Sequence, residues 1–315
     1  KRAVEIAAAG GHHLLMFGPP GVGKTMAARR LEPLLPDLAR EEALEVTRIH
    51  SIAGLLGSRG GLISRPPFRA PHHTASREGL TGGADGRPGE ISLAHRGVLF
   101  LDEALEFRKT MLQSLREPIE RGQVEIARAG VHYRYPCRFQ LMMATNPCPC
   151  GKLGSPEAVC MCSPIEIHRY WKKLGSALLD RVDIRVAVEP EPFRMECGPG
   201  GCSGNIPERS VEAAKRVAAA VAVQRARFEA KGLSRNAEMG PGEVRREARL
   251  GIRAERLLSK ASAGLGLSSR ASQSVAKIAR TIADLDGSMY VTGDHLAEAV
   301  EYRRYGDGDY FWKAA

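Results

Sequence analysis

The eight residues GPPGVGKT, Gly18 to Thr25, constrain the chain more tightly than any other stretch. An apolar run (Leu14, Leu15, Met16, Phe17) leads into them, and a helix-competent run (Met26, Ala27, Ala28, Arg29, Arg30, Leu31) follows. Strand, glycine-rich loop and helix in that order make Gly-x-x-x-x-Gly-Lys-Thr a phosphate-binding loop. Gly18, Gly21 and Gly23, with Pro19, Pro20 and Val22 between them, allow backbone conformations that turn successive N–H groups into one concavity. The helix that begins near Gly23 adds its positive end to the same place. Lys24 is placed to reach the outer phosphates of a nucleoside triphosphate, and Thr25 to offer its hydroxyl to Mg²⁺. A Gly/Pro turn with no ligand is the alternative, and the correct flanks on both sides weigh against it. The fold class to expect is α/β.

A chain of 315 residues can bury a full core and is long enough for two domains. It holds no run of about 18 or more apolar residues and no signal-peptide pattern, so a cytoplasmic, membrane-free protein is the expectation. Lys and Arg number 46 against 36 Asp and Glu, a net charge of +10 that suits a polyanionic partner and also serves solubility. The seven cysteines suggest reduced thiols or a metal rather than a disulfide framework. Because Lys1 already lies in a helical pattern, a fragment lacking its upstream part is expected.

Helices are predicted over 1–9, from the loop to about Leu35, and over 41–53. Residues 54–89 are rich in Gly, Pro, His and Arg and show no period, with RPPFRAPHHTAS the densest part. VLFLDE follows, a continuous apolar run of the kind buried on both faces of a parallel sheet, ending in two carboxylates. Ligands of such sheets sit at the carboxyl ends of the strands, so Asp102 is expected to hold Mg²⁺ and Glu103 to orient the attacking water. Asp at a helix N-cap is the plainer alternative. A helix over 108–121 comes next, then a β-hairpin over about 123–136 with Arg128 at or beside its tip. The strand FQLMMAT runs into Asn146, a candidate for touching the γ-phosphate or the attacking water.

Cys148, Cys150, Cys160 and Cys162 form two Cys-x-Cys pairs in a loop over 147–163. Four thiolates can close a tetrahedral Zn²⁺ site of structural type; four reduced loop cysteines remain the alternative. Arg181 falls between a short helix and a strand, where it can face a neighbouring subunit. Residues 191–207 read as a Gly-rich linker, and 208–315 as all-helical. Arg270 sits in the first turn of a helix beginning LSSRASQS, where a cation opposes the helix dipole; a nearby phosphate would help account for it, and chance placement on the surface is the alternative.

With GPPGVGKT, VLFLDE, the strand ending at Asn146 and LLDRVD in this order, the chain resembles AAA+ ATPases. The stretches KRAVEIAAAGGHHLLMFGPPGVGKT, RPPFRAPHHTAS, RPGEISLAHRGVLFLDE, NPCPCG and LSSRASQSVAKIARTIADLDG together resemble the Mg-chelatase-like ComM/YifB family over nearly the whole chain. That resemblance implies an AAA+ core over 1–190 with a central parallel sheet, an insert at about 54–89, and a helical lid domain over 208–315. It implies that Lys24 and Thr25 are the Walker A pair and Asp102 and Glu103 the Walker B pair. Asn146 matches sensor 1, Arg181 the arginine finger, and Arg270 the sensor 2 arginine, acting on its own nucleotide or a neighbour's. IARAGV resembles the pre-sensor-1 hairpin of minichromosome-maintenance helicases, with Arg128 as the DNA-facing residue. One departure is LDEALEF, which lacks the Pro common after the second Leu. The implied activity is that of an ATP-hydrolysing, homo-oligomeric ring, a hexamer, that moves single-stranded or branched DNA, with ATP and Mg²⁺ as cofactors. Members usually carry a Lon-protease-like domain ahead of this region. A magnesium-chelatase motor subunit and an ATP-regulated assembly switch are the alternatives.

Overall fold

The central strands of the main sheet alternate their side chains between two apolar layers. In the computed structural model this is a five-stranded sheet of order β2-β3-β6-β1-β7, parallel at each pairing. The strands are β1 (Leu14–Phe17), β2 (Phe68–Arg69), β3 (Val98–Leu101), β6 (Gln140–Thr145) and β7 (Ile184–Ala187). A separate antiparallel hairpin pairs β4 (Gln123–Arg128) with β5 (Val131–Pro136). The structure describes residues 1–315 except 58–60, 84–85, 129–130, 157, 191–209, 230 and 306–315; the side chains of 127, 128 and 131 are likewise outside it. The linker expected over 191–207 therefore lies outside the described residues.

Leu14 and Met16 of β1 point with Val98, Phe100, Met142, Ala144 and Ile184 into one layer, which helices Arg2–Gly10, Ser210–Phe228 and Ser269–Leu285 cover. Leu15 and Phe17 point with Leu99, Leu101, Leu141 and Met143 into the other, covered by Lys109–Ser114 and Pro164–Trp171. Period-2 alternation in strands buried on both faces produces this three-layer α/β architecture, an AAA+ core followed by a helical region. The helical region shares the first layer: Val275, Ile278, Ala279 and Ile282 are buried against the sheet side. Among the described residues no helix is long and apolar enough to cross a membrane.

Three expectations about elements shift. The helix after the phosphate loop stops at Arg29 and gives way to a short 3-10 turn, Glu32–Leu34, with Pro33 inside it. The helix expected over 108–121 is two, Lys109–Ser114 and Arg116–Arg121. Pro118 has no N–H for the Ser114 carbonyl and its ring crowds that carbonyl. The periodless stretch contains an edge strand, β2, paired with β3 at Phe68↔Val98 and Arg69↔Leu99, and a helix, Arg77–Thr81, capped by Ser76. Arg69 is fixed by a bidentate pair to Glu90 at 2.6 and 2.7 Å.

Candidate functional site

The phosphate loop connects β1 to the helix Lys24–Arg29. Gly18 is required by a close approach, because a Cβ there would lie 2.1 Å from the Val188 carbonyl oxygen just past β7. Gly21 and Gly23 have φ of 82° and 83°, the left-handed region that glycine enters at no steric cost. Lys24 is buried, and its Nζ donates to the carbonyls of Gly18 (2.6 Å) and Pro19 (2.8 Å) and to Asn146 Oδ1 (3.3 Å). Burial lowers the Lys24 pKa, partly offset by the carboxylates of Asp102 and Glu103. Thr25 Oγ1 donates to Asp102 Oδ2 at 2.8 Å. One hydroxyl and one carboxylate side by side are hard oxygen donors of the kind Mg²⁺ takes with phosphate oxygens.

Glu103 follows at the end of β3 with φ 48° and ψ 46°, a left-handed conformation that costs a non-glycine residue roughly 1–3 kcal/mol. Its N–H donates to Asp102 Oδ1 at 3.0 Å, and its side chain stands exposed. His73 Nδ1 lies 3.6 Å from Glu103 Oε2, and His72 stacks on His73 at 4.1 Å. Sequence reasoning marked APHHT only as a dense part of a loop; β2 pairing beside β3 carries His73 to the carboxylate. Gathered at the carboxyl ends of the strands, then, are Lys24, Thr25, Asp102, Glu103 and Asn146.

Arg181 and Arg270 lie elsewhere. Arg181 precedes β7, whose Ile184 pairs with Leu14 at the start of β1, so it belongs to the amino ends of the strands. Its Nη2 pairs with Glu120 and its Nη1 donates to the Ala177 carbonyl. Arg270 Nη1 is 3.5 Å from the same Glu120 oxygen. A four-residue strand advances about 10 Å, so neither arginine shares an end of the sheet with Lys24 of its own chain.

Trp171 Nε1 holds the Pro147 carbonyl at 2.9 Å, fixing the loop that leaves Asn146. In that loop the sulfurs of Cys148, Cys150, Cys160 and Cys162 all lie within 4.8 Å of one another, three pairs at 3.4–3.6 Å. Tetrahedral Zn–S bonds of about 2.3 Å place sulfurs roughly 3.8 Å apart, so the donor set fits Zn²⁺. Burial pushes the Cys148 thiol up to about 12, whereas the Lys152 backbone N–H brings Cys150 down to about 6. Gly151 of this loop touches the phosphate loop: a Cβ there would sit 3.3 Å from Pro20 and 3.9 Å from Asn146.

Arg128 ends β4 opposite Val131; its side chain lies outside the described residues. The hairpin packs on the 54–89 segment, with the Tyr135 hydroxyl donating to the Gly86 carbonyl and Ile126 against Gly82. Among the described residues the hairpin thus contacts the part of the insert around Gly82 and Gly86.

The sequence pattern described as "Magnesium chelatase, subunit ChlI" matches residues 1–195, and "Magnesium chelatase, subunit ChlI C-terminal" matches 207–303. The chain is 44% identical over 307 residues to the YifB protein of Escherichia coli, covering 96% of this chain and 58% of that protein. It is 41% identical over 306 residues to the competence protein ComM of Haemophilus influenzae, again covering 96% of this chain and 58% of the relative. The magnesium-chelatase 38 kDa subunit of Rhodobacter capsulatus is 26% identical over 151 residues, 42% of this chain and 43% of the subunit. The chain therefore spans less than two thirds of the length of these relatives.

Proposed function

The chain belongs to the magnesium chelatase ChlI family of AAA+ ATPases, and from that premise we propose that it hydrolyses ATP within a homo-oligomeric ring that acts on DNA. The observation that carries the reading is the division of the site. Lys24, Thr25, Asp102, Glu103 and Asn146 stand at one end of the sheet, and Arg181 and Arg270 at the other. On this reading a triphosphate bound by one copy meets Arg181 or Arg270 only from a second copy, a head-to-tail contact that closes into a ring.

In the reaction, Glu103 orients a water whose oxygen attacks the γ-phosphorus while the bond to the ADP oxygen breaks; the carboxylate draws on the water's proton. Lys24 exchanges the Gly18 and Pro19 carbonyls for phosphate oxygens, and Asn146, already at Lys24, holds the nucleophile side of the γ-phosphate. Thr25 and Asp102 would hold Mg²⁺, which supplies neutralisation of charge on the β- and γ-oxygens. Arg181, with Arg270 beside it, stabilises the charge that develops on the neighbour's transferring group. On this reading both arginines act between subunits.

DNA as the polymer is supported by the net charge of +10, by the hairpin carrying Arg128, and by the kinship with a competence protein. Branch migration of recombination intermediates by a hexamer is the specific form of that reading. Contacts of this sort go to phosphates, are indifferent to sequence and weaken steeply with salt. The four cysteines would hold a structural Zn²⁺; with four protein ligands no open position is left, and its effect is to pin the loop against Pro20 and Asn146.

The test is ATP turnover with and without single-stranded and branched DNA across a salt series. Stimulation that fades with salt is expected. No stimulation at any salt removes DNA and leaves the chelatase-type motor or the assembly switch, with retained turnover favouring the former.

A further inference from the structure

Glu120 has no place in the reaction as described, yet it touches both arginines assigned to it. One of its carboxylate oxygens serves Arg181 Nη2 and, at 3.5 Å, Arg270 Nη1. The two arginines come from segments 89 residues apart in sequence (270 − 181), so their convergence on one acid is a product of the fold. The Arg181 side chain is only 10% exposed, its Nη1 is held by the Ala177 carbonyl, and its Nε is buried with no hydrogen-bond partner among the described residues. The guanidinium is thus turned in on its own subunit, and its fork is not displayed to a neighbour. Glu120 itself is about half exposed and free to leave.

Its position in the chain supplies the means. Glu120 lies in the helix Arg116–Arg121, which ends at Gly122 in the left-handed conformation and turns directly into β4 of the hairpin. The Gly122 carbonyl accepts from Cys137 N–H at 2.8 Å, closing the base of that hairpin. A displacement of the hairpin therefore pulls on the helix that carries Glu120.

We propose that Glu120 is a positioning residue that holds Arg181 and Arg270 on their own subunit and releases them to the neighbouring ATP when the hairpin moves. The negative carboxylate competes with the γ-phosphate for the same donors, so hydrolysis stays slow until the polymer shifts the hairpin. This rests on Arg181 being supplied between subunits.

The experiment compares full-length chain with Glu120→Gln, Glu120→Asp, Arg181→Ala and the double variant Glu120→Gln/Arg181→Ala, measuring turnover with and without branched DNA. Freeing the largely buried Arg181 and the half-exposed Arg270 from one shared carboxylate predicts a rise of about 3- to 10-fold in DNA-independent kcat for Glu120→Gln. KM for ATP stays at its wild-type value, because the loop around Lys24 is untouched, and the fold-stimulation by DNA shrinks by the same factor. Glu120→Asp, which keeps the charge and shortens the reach, gives an intermediate rise and serves where the glutamine variant does not fold. Arg181→Ala and the double variant lose turnover. DNA-independent kcat at or below wild type in the Glu120 variants, with Arg181→Ala inactive, overturns the role of Glu120 alone. Full turnover by Arg181→Ala overturns both this role and the intersubunit reading beneath it.

Discussion

Asp183 stands two residues after Arg181 and immediately before β7, and it joins the sheet to the helical region. Its buried carboxylate accepts from Ser274 Oγ at 2.6 Å and faces His12 Nδ1 at 3.4 Å; His12 Nε2 in turn meets Thr281 Oγ1 at 2.8 Å. Burial alone would raise its pKa, but the hydrogen bond and charge of His12, with Lys277 and His13, outweigh it and hold the carboxyl well below the usual carboxylate range. Asp183→Asn keeps the shape and removes the charge. A hydrogen bond to a charged group contributes about 1.5–3 kcal/mol, and the His12 contact is long enough to count at the low end. The loss at pH 7 is then about 3 kcal/mol. The sign with pH follows from the depressed folded pKa: this stability is complete above the unfolded value near 3.9 and is lost as pH falls toward the folded one. Urea denaturation of wild type and variant across pH 3–7 should show a gap of about 3 kcal/mol that narrows below about pH 4. A gap under about 1 kcal/mol at pH 7, or one that does not change with pH, would refute the assignment of Asp183 as a charged tie.

Glu103→Gln should bind ATP normally and turn over about 10²- to 10⁴-fold more slowly, read by phosphate release beside a nucleotide-binding titration; normal turnover would remove Glu103 from its role. Elemental analysis should find about one zinc per chain, and Cys148→Ser should lower both that ratio and the melting temperature; a metal-free protein of unchanged stability would defeat the site. Arg128→Ala should reduce stimulation by DNA, and an unchanged stimulation would move the contact to the 54–89 insert.

The parts of this architecture written in short-range pattern were legible. GPPGVGKT and the apolar runs of β1, β3 and β6 each carry their own geometry, whatever the rest of the chain does. What escaped is set by contacts between distant segments. β2 is two residues long and exists because β3 offers it an edge, so no period announces it. His73 reaches Glu103 only through that pairing. The 3.4–3.6 Å approach of the sulfurs depends on a loop held by Trp171, which no Cys spacing specifies. Arg270 was recognisable as a cation at a helix start, but its end of the sheet follows from how Ser269–Leu285 packs across the first layer. Glu120 sits in an ordinary helix and gains its meaning from two partners 61 and 150 residues away (181 − 120 and 270 − 120).

The central claim, that one nucleotide is served by two copies of the chain, is tested most directly by mixing two inactive variants. Lys24→Ala lacks the phosphate loop's cation but keeps Arg181, and Arg181→Ala keeps the loop but lacks the arginine. In a ring with head-to-tail contacts, some interfaces of the mixture pair an intact loop with an intact Arg181. ATP turnover of the two proteins mixed and allowed to exchange subunits should rise well above that of either alone. Turnover of the mixture no greater than the average of the separate proteins would contradict a site shared between neighbours.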